Sequence, residues 1–138
     1  MTSNADDQTR LEPGCTGSVS LIVTEAQTAP RLGSGRAPVF ATPALVALLE
    51  AAAVACVEER IGAGQETLGI HIDVEHIAAT PVGLKVTASA ELVERDGRKL
   101  VFDVTARDER ELIGRGRHTR IIVDSARFRA KLQAKGEN

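Results

Sequence analysis

Between Pro43 and Val57 the chain reads PALVALLEAAAVACV, and Glu50 is the sole charged side chain in that run. A helix that is apolar on every side is a buried helix, and a carboxylate placed inside one is costly unless it is paired or hydrogen-bonded. Thr42 and Pro43 supply a hydroxyl N-cap and a proline at the first helical position. Glu58, Glu59 and Arg60 end the apolar run, and Gly62 and Gly64 stop the helix. A rod of roughly 27 Å results, too short and too alanine-rich for a membrane span.

From Leu68 onward the periodicity changes to two. Strands are predicted at Val19–Thr24, Leu68–Thr80, Leu84–Val93, Leu100–Ala106 and Leu112–Val123. A loop rich in Gly, Pro and Ser over Ala26–Pro38 is expected to be mobile and basic through Arg31 and Arg36. Turns are expected at Thr80-Pro81-Val82-Gly83, at Asp96-Gly97, a strong hairpin signal, and at Arg107–Glu111. Asp124 or Ser125 caps a last short helix whose apolar stripe is Phe128 and Leu132. The class is α+β: four later strands in an antiparallel meander, curved round one long central helix, with a short C-terminal helix. So apolar a helix also asks for cover beyond one sheet, which a second copy of the chain would supply.

The 138 residues suffice for one domain, expected over 17–138 with a flexible N-terminal tail at 1–16. A net charge of −2 leaves no electrostatic footprint for nucleic acid or an anionic membrane. With no Trp or Tyr and three Phe there is no platform for stacked bases. Cys15, in a loose segment, and Cys56, in the buried helix, do not make a disulfide framework, and Met1 to Gly14 has no apolar core of a secretory signal. A cytoplasmic protein is expected.

Alternation places Leu68, Ile70, Ile72, Val74, His76 and Ala78 on the core face of the first long strand, with Gly69, His71, Asp73, Glu75 and Ile77 opposite. A helix carboxylate at Glu50, an inward imidazole at His76 and a hydroxyl at Thr42, beside the free N–H groups of a helix start, are the parts of an acyl-transfer or hydrolysis site. The plainer alternative makes His76 a satisfied core histidine, Glu50 its structural partner and Thr42 a cap. His71, Asp73 and Glu75 lie opposite His76, and no HExxH spacing occurs, so no metal is expected. Neither a Walker A sequence nor a dinucleotide fingerprint is present.

The segments VFATPALVALLE, LGIHIDVEHIAATPVG and GRGRHTR resemble the hotdog-fold thioesterases related to fluoroacetyl-CoA thioesterase. The resemblance runs from about Val39 to Leu132. It implies a hotdog fold, a curved antiparallel sheet around one long helix, and a homodimer or larger assembly with its sites at the subunit interface. It implies Thr42, Glu50 and His76 as catalytic residues and Gly69 and Arg120 on the substrate side. Phe40 of the Phe-Ala-Thr motif and Arg36 of the preceding loop join them as expected substrate or CoA contacts. Where the fluoroacetyl-CoA branch carries aromatic residues, the loop here reads Arg31-Leu32-Gly33-Ser34-Gly35-Arg36, so the acyl group stays open.

The activity implied is hydrolysis of a small acyl-CoA thioester, with coenzyme A entering as part of the substrate and no separate cofactor. Glu50 is expected as nucleophile or base, His76 as its partner and Thr42 as hydrogen-bonding support. Gly114 and Gly116 leave room beside Arg120 for a ligand or another backbone, while Arg115 and Arg117 solvate the opposite face. The alternative is a non-catalytic hotdog domain that binds acyl-CoA. Hydration of an enoyl-CoA would need an acid–base pair in a differently placed helix segment, which has no match here.

Overall fold

Val86, Ala88, Ala90 and Leu92, then Leu100, Phe102, Val104 and Ala106, are buried at every second position, and this alternation gives one face of a sheet to the apolar helix. The computed structural model describes residues 10–137. Its elements are β1 (Thr16–Ile22), α1 (Ala29–Leu32), α2 (Thr42–Val57), β2 (Gln65–His76), β3 (Lys85–Asp96), β4 (Lys99–Arg107), β5 (Leu112–Asp124) and α3 (Ser125–Gly136). The strands form one antiparallel sheet in the order β1-β3-β4-β5-β2. It curls round α2, which touches all five strands. Leu45, Leu49, Ala52, Ala53, Cys56 and Val57 of α2 are completely buried. At Gly17 a Cβ would lie 2.3 Å from the Cys56 amide nitrogen, so only glycine lets β1 come this close to the helix.

The expected meander holds for β3, β4 and β5 and fails for β2, which pairs with β5. Asp96-Gly97 makes a tight hairpin with Gly97 at φ +61°. The connection from β2 to β3 is longer and carries the chain to the far side of the sheet. Thus β2 is an edge strand.

A second difference lies inside β2. Gly69 pairs with Arg120 and His71 with Thr119, leaving Ile70 as an extra, bulged residue that is 55% exposed. The alternation predicted downstream of this point is kept, with Ile72, Val74 and His76 half-buried and His71, Asp73 and Glu75 exposed. Upstream the phase slips by one, which turns Gly69 toward the helix instead of toward water.

The expected domain start at residue 17 falls within β1, and Leu11 is already part of the core. Cys15, expected in a loose segment, packs against that core and bonds the Arg10 carbonyl at 2.9 Å. Residues 1–9 of the expected tail lie outside those described. The stretch Ala26–Pro38 holds the helix α1 and a 3₁₀ turn at Glu25–Gln27. Asp124 caps α3 by accepting from the Arg127 amide at 2.9 Å. Pro43, Ala47, Ala51 and Ala55 of α2, each four residues after the last, stay exposed. Among the described residues no helix is long and apolar enough to cross a membrane.

Candidate active site

Thr42 is the first residue of α2 and Ala41 its N-cap, so the Thr42 hydroxyl does not cap the helix as expected. Its Oγ1 lies 2.8 Å from Nδ1 of His76, the last residue of β2. Two links hold these termini together: the Phe40 amide donates to the Thr80 carbonyl at 2.8 Å, and Val39 bridges Pro81. Phe40, expected to meet substrate, is 0% exposed and acts as the anchor beneath the site. A cavity of about 370 Å³ opens here, lined by Arg36, Phe40, Thr42, His76, Ile77 and Ala78 among others. The free N–H groups of the first helical turn lie at this same end.

Burial pushes His76 below the ordinary imidazole value, with the Ala78 carbonyl opposing it. Its Nε2 is buried without a hydrogen-bond partner. A neutral ring at pH 7 follows, and a neutral ring whose Nδ1 accepts from Thr42 carries its proton on Nε2. The pair is then a hydroxyl hydrogen-bonded to a base.

Within the chain Glu50 does not contact His76. It lies eight residues beyond Thr42, about 12 Å along the helix, where Oε2 accepts from Arg120 Nη1 at 3.1 Å. Its side chain is 41% exposed and that of Arg120 only 8%. Arg120 Nε donates to Thr67 Oγ1 at 2.9 Å and Nη2 to the Thr67 carbonyl at 3.1 Å. Gly69 faces this group: a Cβ there would sit 2.6 Å from Glu50 Oε2 and 3.2 Å from Arg120 Nη1. Of the expected residues, Glu50, Gly69 and Arg120 therefore form one cluster, and Thr42, His76, Phe40 and Arg36 another.

His118 was not among the expected site residues, although it alternates in phase with Arg120. It is 1% exposed, and its Nε2 lies 3.0 Å from Arg120 Nη1 and 3.8 Å from Glu50 Oε2. The room at Gly114 and Gly116 is taken by protein and not by a ligand: a Cβ at Gly116 would be 2.1 Å from the Asp73 carbonyl, and one at Gly114 2.9 Å from Leu45 Cδ2. Arg115 and Arg117 pair on the outer face with Glu75 at 3.7 Å and Asp103 at 3.0 Å. Among the described residues no three His, Cys, Asp or Glu side chains gather as a metal site.

A sheet curled round one long helix, with a hydroxyl–imidazole pair where helix and edge strand meet, defines the hotdog class. The family model described as "FlK: Fluoroacetyl-CoA-specific thioesterase" matches residues 23–126, and the chain belongs to that family. The fluoroacetyl-CoA thioesterase of Streptantibioticus cattleyicolor is 42% identical over 97 residues, 70% of each chain. A solved structure of the fluoroacetyl-CoA thioesterase FlK superposes with a TM-score of 0.87 at 34% identity, covering 92% of this chain and 98% of that one. A hot-dog-like protein from Thermanaerovibrio acidaminovorans, 16% identical, shares the fold with a TM-score of 0.84, over 93% of this chain and 95% of its own.

Proposed function

We propose that the chain hydrolyses a small acyl-CoA thioester, with Thr42, His76 and Glu50 as its catalytic residues. The observation that carries this reading is the 2.8 Å contact between the Thr42 hydroxyl and His76, opening onto a cavity of about 370 Å³. That volume is at the low end for ligand pockets and suits a short acyl group. His76 takes the proton of Thr42 as Oγ1 adds to the thioester carbonyl. First-turn N–H groups of α2 meet the oxyanion. The C–S bond then breaks, and the proton held on His76 passes to the coenzyme A sulfur. Water attacks the resulting acyl-threonine, its proton drawn off by the Glu50 carboxylate; the C–Oγ1 bond then breaks, the proton returns from Glu50 to Thr42 Oγ1, and the acid leaves. Arg36 at the cavity rim offers a cation to the coenzyme A phosphates.

A second copy of the chain completes the site. Support comes from the twelve-residue edge of β2, paired on one side only, from Ile70 exposed on it and from the bare alanine stripe of α2. An open edge of this length is managed by pairing or cover in natural proteins. Two antiparallel copies of β2 about a two-fold axis bring the His76 end of one strand to the Gly69 end of the other. Glu50 of one copy then faces Thr42 of its mate, which accounts for the separation within one chain. The two free cysteines, Cys15 and Cys56, are consistent with a reducing cytoplasm.

The test is thiol release across a panel of short and aryl acyl-CoAs, with mass spectrometry of Glu50→Gln after mixing. Turnover of about 1 s⁻¹ or more by the unmodified chain, and an acyl group retained on Thr42 in the variant, are expected. Tight acyl-CoA binding with no turnover across the panel would favour the binding-module alternative.

A further inference from the structure

His118 is a buried histidine with both ring nitrogens engaged. Nδ1 lies 2.8 Å from the His71 carbonyl, and a carbonyl only accepts, so Nδ1 carries a hydrogen. Nε2 lies 3.0 Å from Arg120 Nη1, and a guanidinium only donates, so Nε2 carries a lone pair. One protonation state satisfies both contacts: the neutral ring with its proton on Nδ1. The ring is wedged between Phe102, at 6.4 Å between centroids, and Gly69, where a Cβ would lie 3.0 Å from His118 Cε1.

The consequence falls on Arg120. Nη1 has two hydrogens and two neighbours to receive them, His118 Nε2 and Glu50 Oε2. Nε and Nη2 are held by Thr67. The guanidinium therefore cannot turn without breaking a bond to β2 or to His118, and the hydrogen left over points at Glu50. The bulge at Ile70 precedes His71 directly, so the irregularity that turns Gly69 inward adjoins the carbonyl that fixes the His118 tautomer.

We propose that His118 is a positioning residue: as a neutral acceptor it locks Arg120 so that one N–H holds the Glu50 carboxylate in its working orientation. This deepens the thioesterase reading and rests on it. Protonation reverses the arrangement, because an Nε2–H would face Arg120 N–H at 3.0 Å and find its nearest anion in Glu50 Oε2, 3.8 Å away. The charged and titratable groups around the ring are Glu50 from α2, His71 from β2 and Arg120 from β5, while β4 contributes the neutral Phe102. Burial first, then Arg120, disfavour the imidazolium; the His71 carbonyl and Glu50 favour it; and the net direction is below the ordinary value.

His118→Gln keeps an acceptor without titrating, and His118→Leu removes it. With folding checked by circular dichroism, His118→Leu should lose about ten- to a hundredfold in kcat, the scale of a displaced catalytic group. KM should change far less. His118→Gln should recover most of that rate and show one ionisation fewer on the acid side of the pH–kcat profile. Long-range ¹H–¹⁵N spectra of the unmodified protein should show the Nδ1–H tautomer at pH 7, a readout that survives if His118→Leu does not fold. An Nε2–H tautomer, or a Leu variant with the kcat and pH profile of the unmodified enzyme, would overturn the role. No turnover by the unmodified chain on any acyl-CoA would instead remove the reading beneath it.

Discussion

Two clusters line the contact between α2 and the strands around it, and they are built on opposite principles. At the start of the helix a hydroxyl meets a neutral imidazole, half in the open, beside the cavity. About 12 Å further on, a carboxylate meets a guanidinium that is itself buried and tied by four short contacts to Thr67, His118 and Glu50. The first is sparse and has room for a substrate; the second is crowded, and a methyl group on Gly69 would sit 2.6 Å from Glu50 Oε2 unless that side chain moved. A lone hydroxyl–base pair needs space for the reacting carbonyl. A carboxylate gripped by a buried guanidinium has one direction, and crowding fixes it.

The sharpest way to break the contrast is to remove the hydroxyl. Thr42→Ala should lower kcat about 10²- to 10⁴-fold, the range of acid–base contributions, while the midpoint of thermal unfolding moves little, because the hydroxyl neither caps α2 nor fills the core. Thr42→Ser should keep much of the rate. Equal loss from Ser and Ala would mean that packing of the methyl group, and not the hydroxyl, is what matters. Gly69→Ala tests the crowded end. The added carbon must displace Glu50 and Arg120, so the variant should lose about 1–3 kcal/mol of stability in urea melts, as for overpacking, together with activity. An Ala variant as active as the parent would show that the cluster yields easily.

Acid affects both clusters. His76 and His118 both lie below the ordinary value of 6.5 in the folded chain, so the unfolded chain binds protons first as the pH drops. Their contribution to stability is complete above about pH 6.5 and is lost as pH falls through the lower folded values. Denaturant midpoints measured from pH 7.5 down to 5 should therefore decline, and His118→Gln should flatten part of that decline. The smallest effect serves as a control far from either cluster: Asp124→Ala should cost about 1 kcal/mol through the lost cap of α3 and leave kcat unchanged.

Much of this was written in local sequence. The apolar run set the central helix, period two set β3 and β4, Asp96-Gly97 set their hairpin, and Thr42 and His76 were legible as a hydroxyl and an inward imidazole. What escaped depends on partners distant along the chain. The pairing of β2 with β5 and not with β3 is settled by how the sheet closes round α2, which no window of residues contains. Simple alternation put Gly69 on the wrong face because one bulged residue, Ile70, is invisible to a period-two count. Glu50 announced itself by being the one charge in an apolar helix, yet its contact with Arg120 joins residues 70 apart and depends on how β5 lies against α2. The part played by His118 rests on a carbonyl 47 residues earlier.

The bulge at Ile70 also gives β2 one residue more than its ladder with β5 uses, because Gly69 and His71 already pair with the neighbouring Arg120 and Thr119. Deleting Ile70 would make the ladder regular and leave Gly69 on the helix side, with His71 still on the outer one. Deleting Gly69 instead would also make it regular, but would set the Ile70 side chain opposite Arg120, where even a Cβ comes within 2.6 Å of Glu50 Oε2. In lineages of this enzyme two single-codon deletions side by side would thus have opposite fates. The strand carries its instructions in its count of residues as much as in their identity.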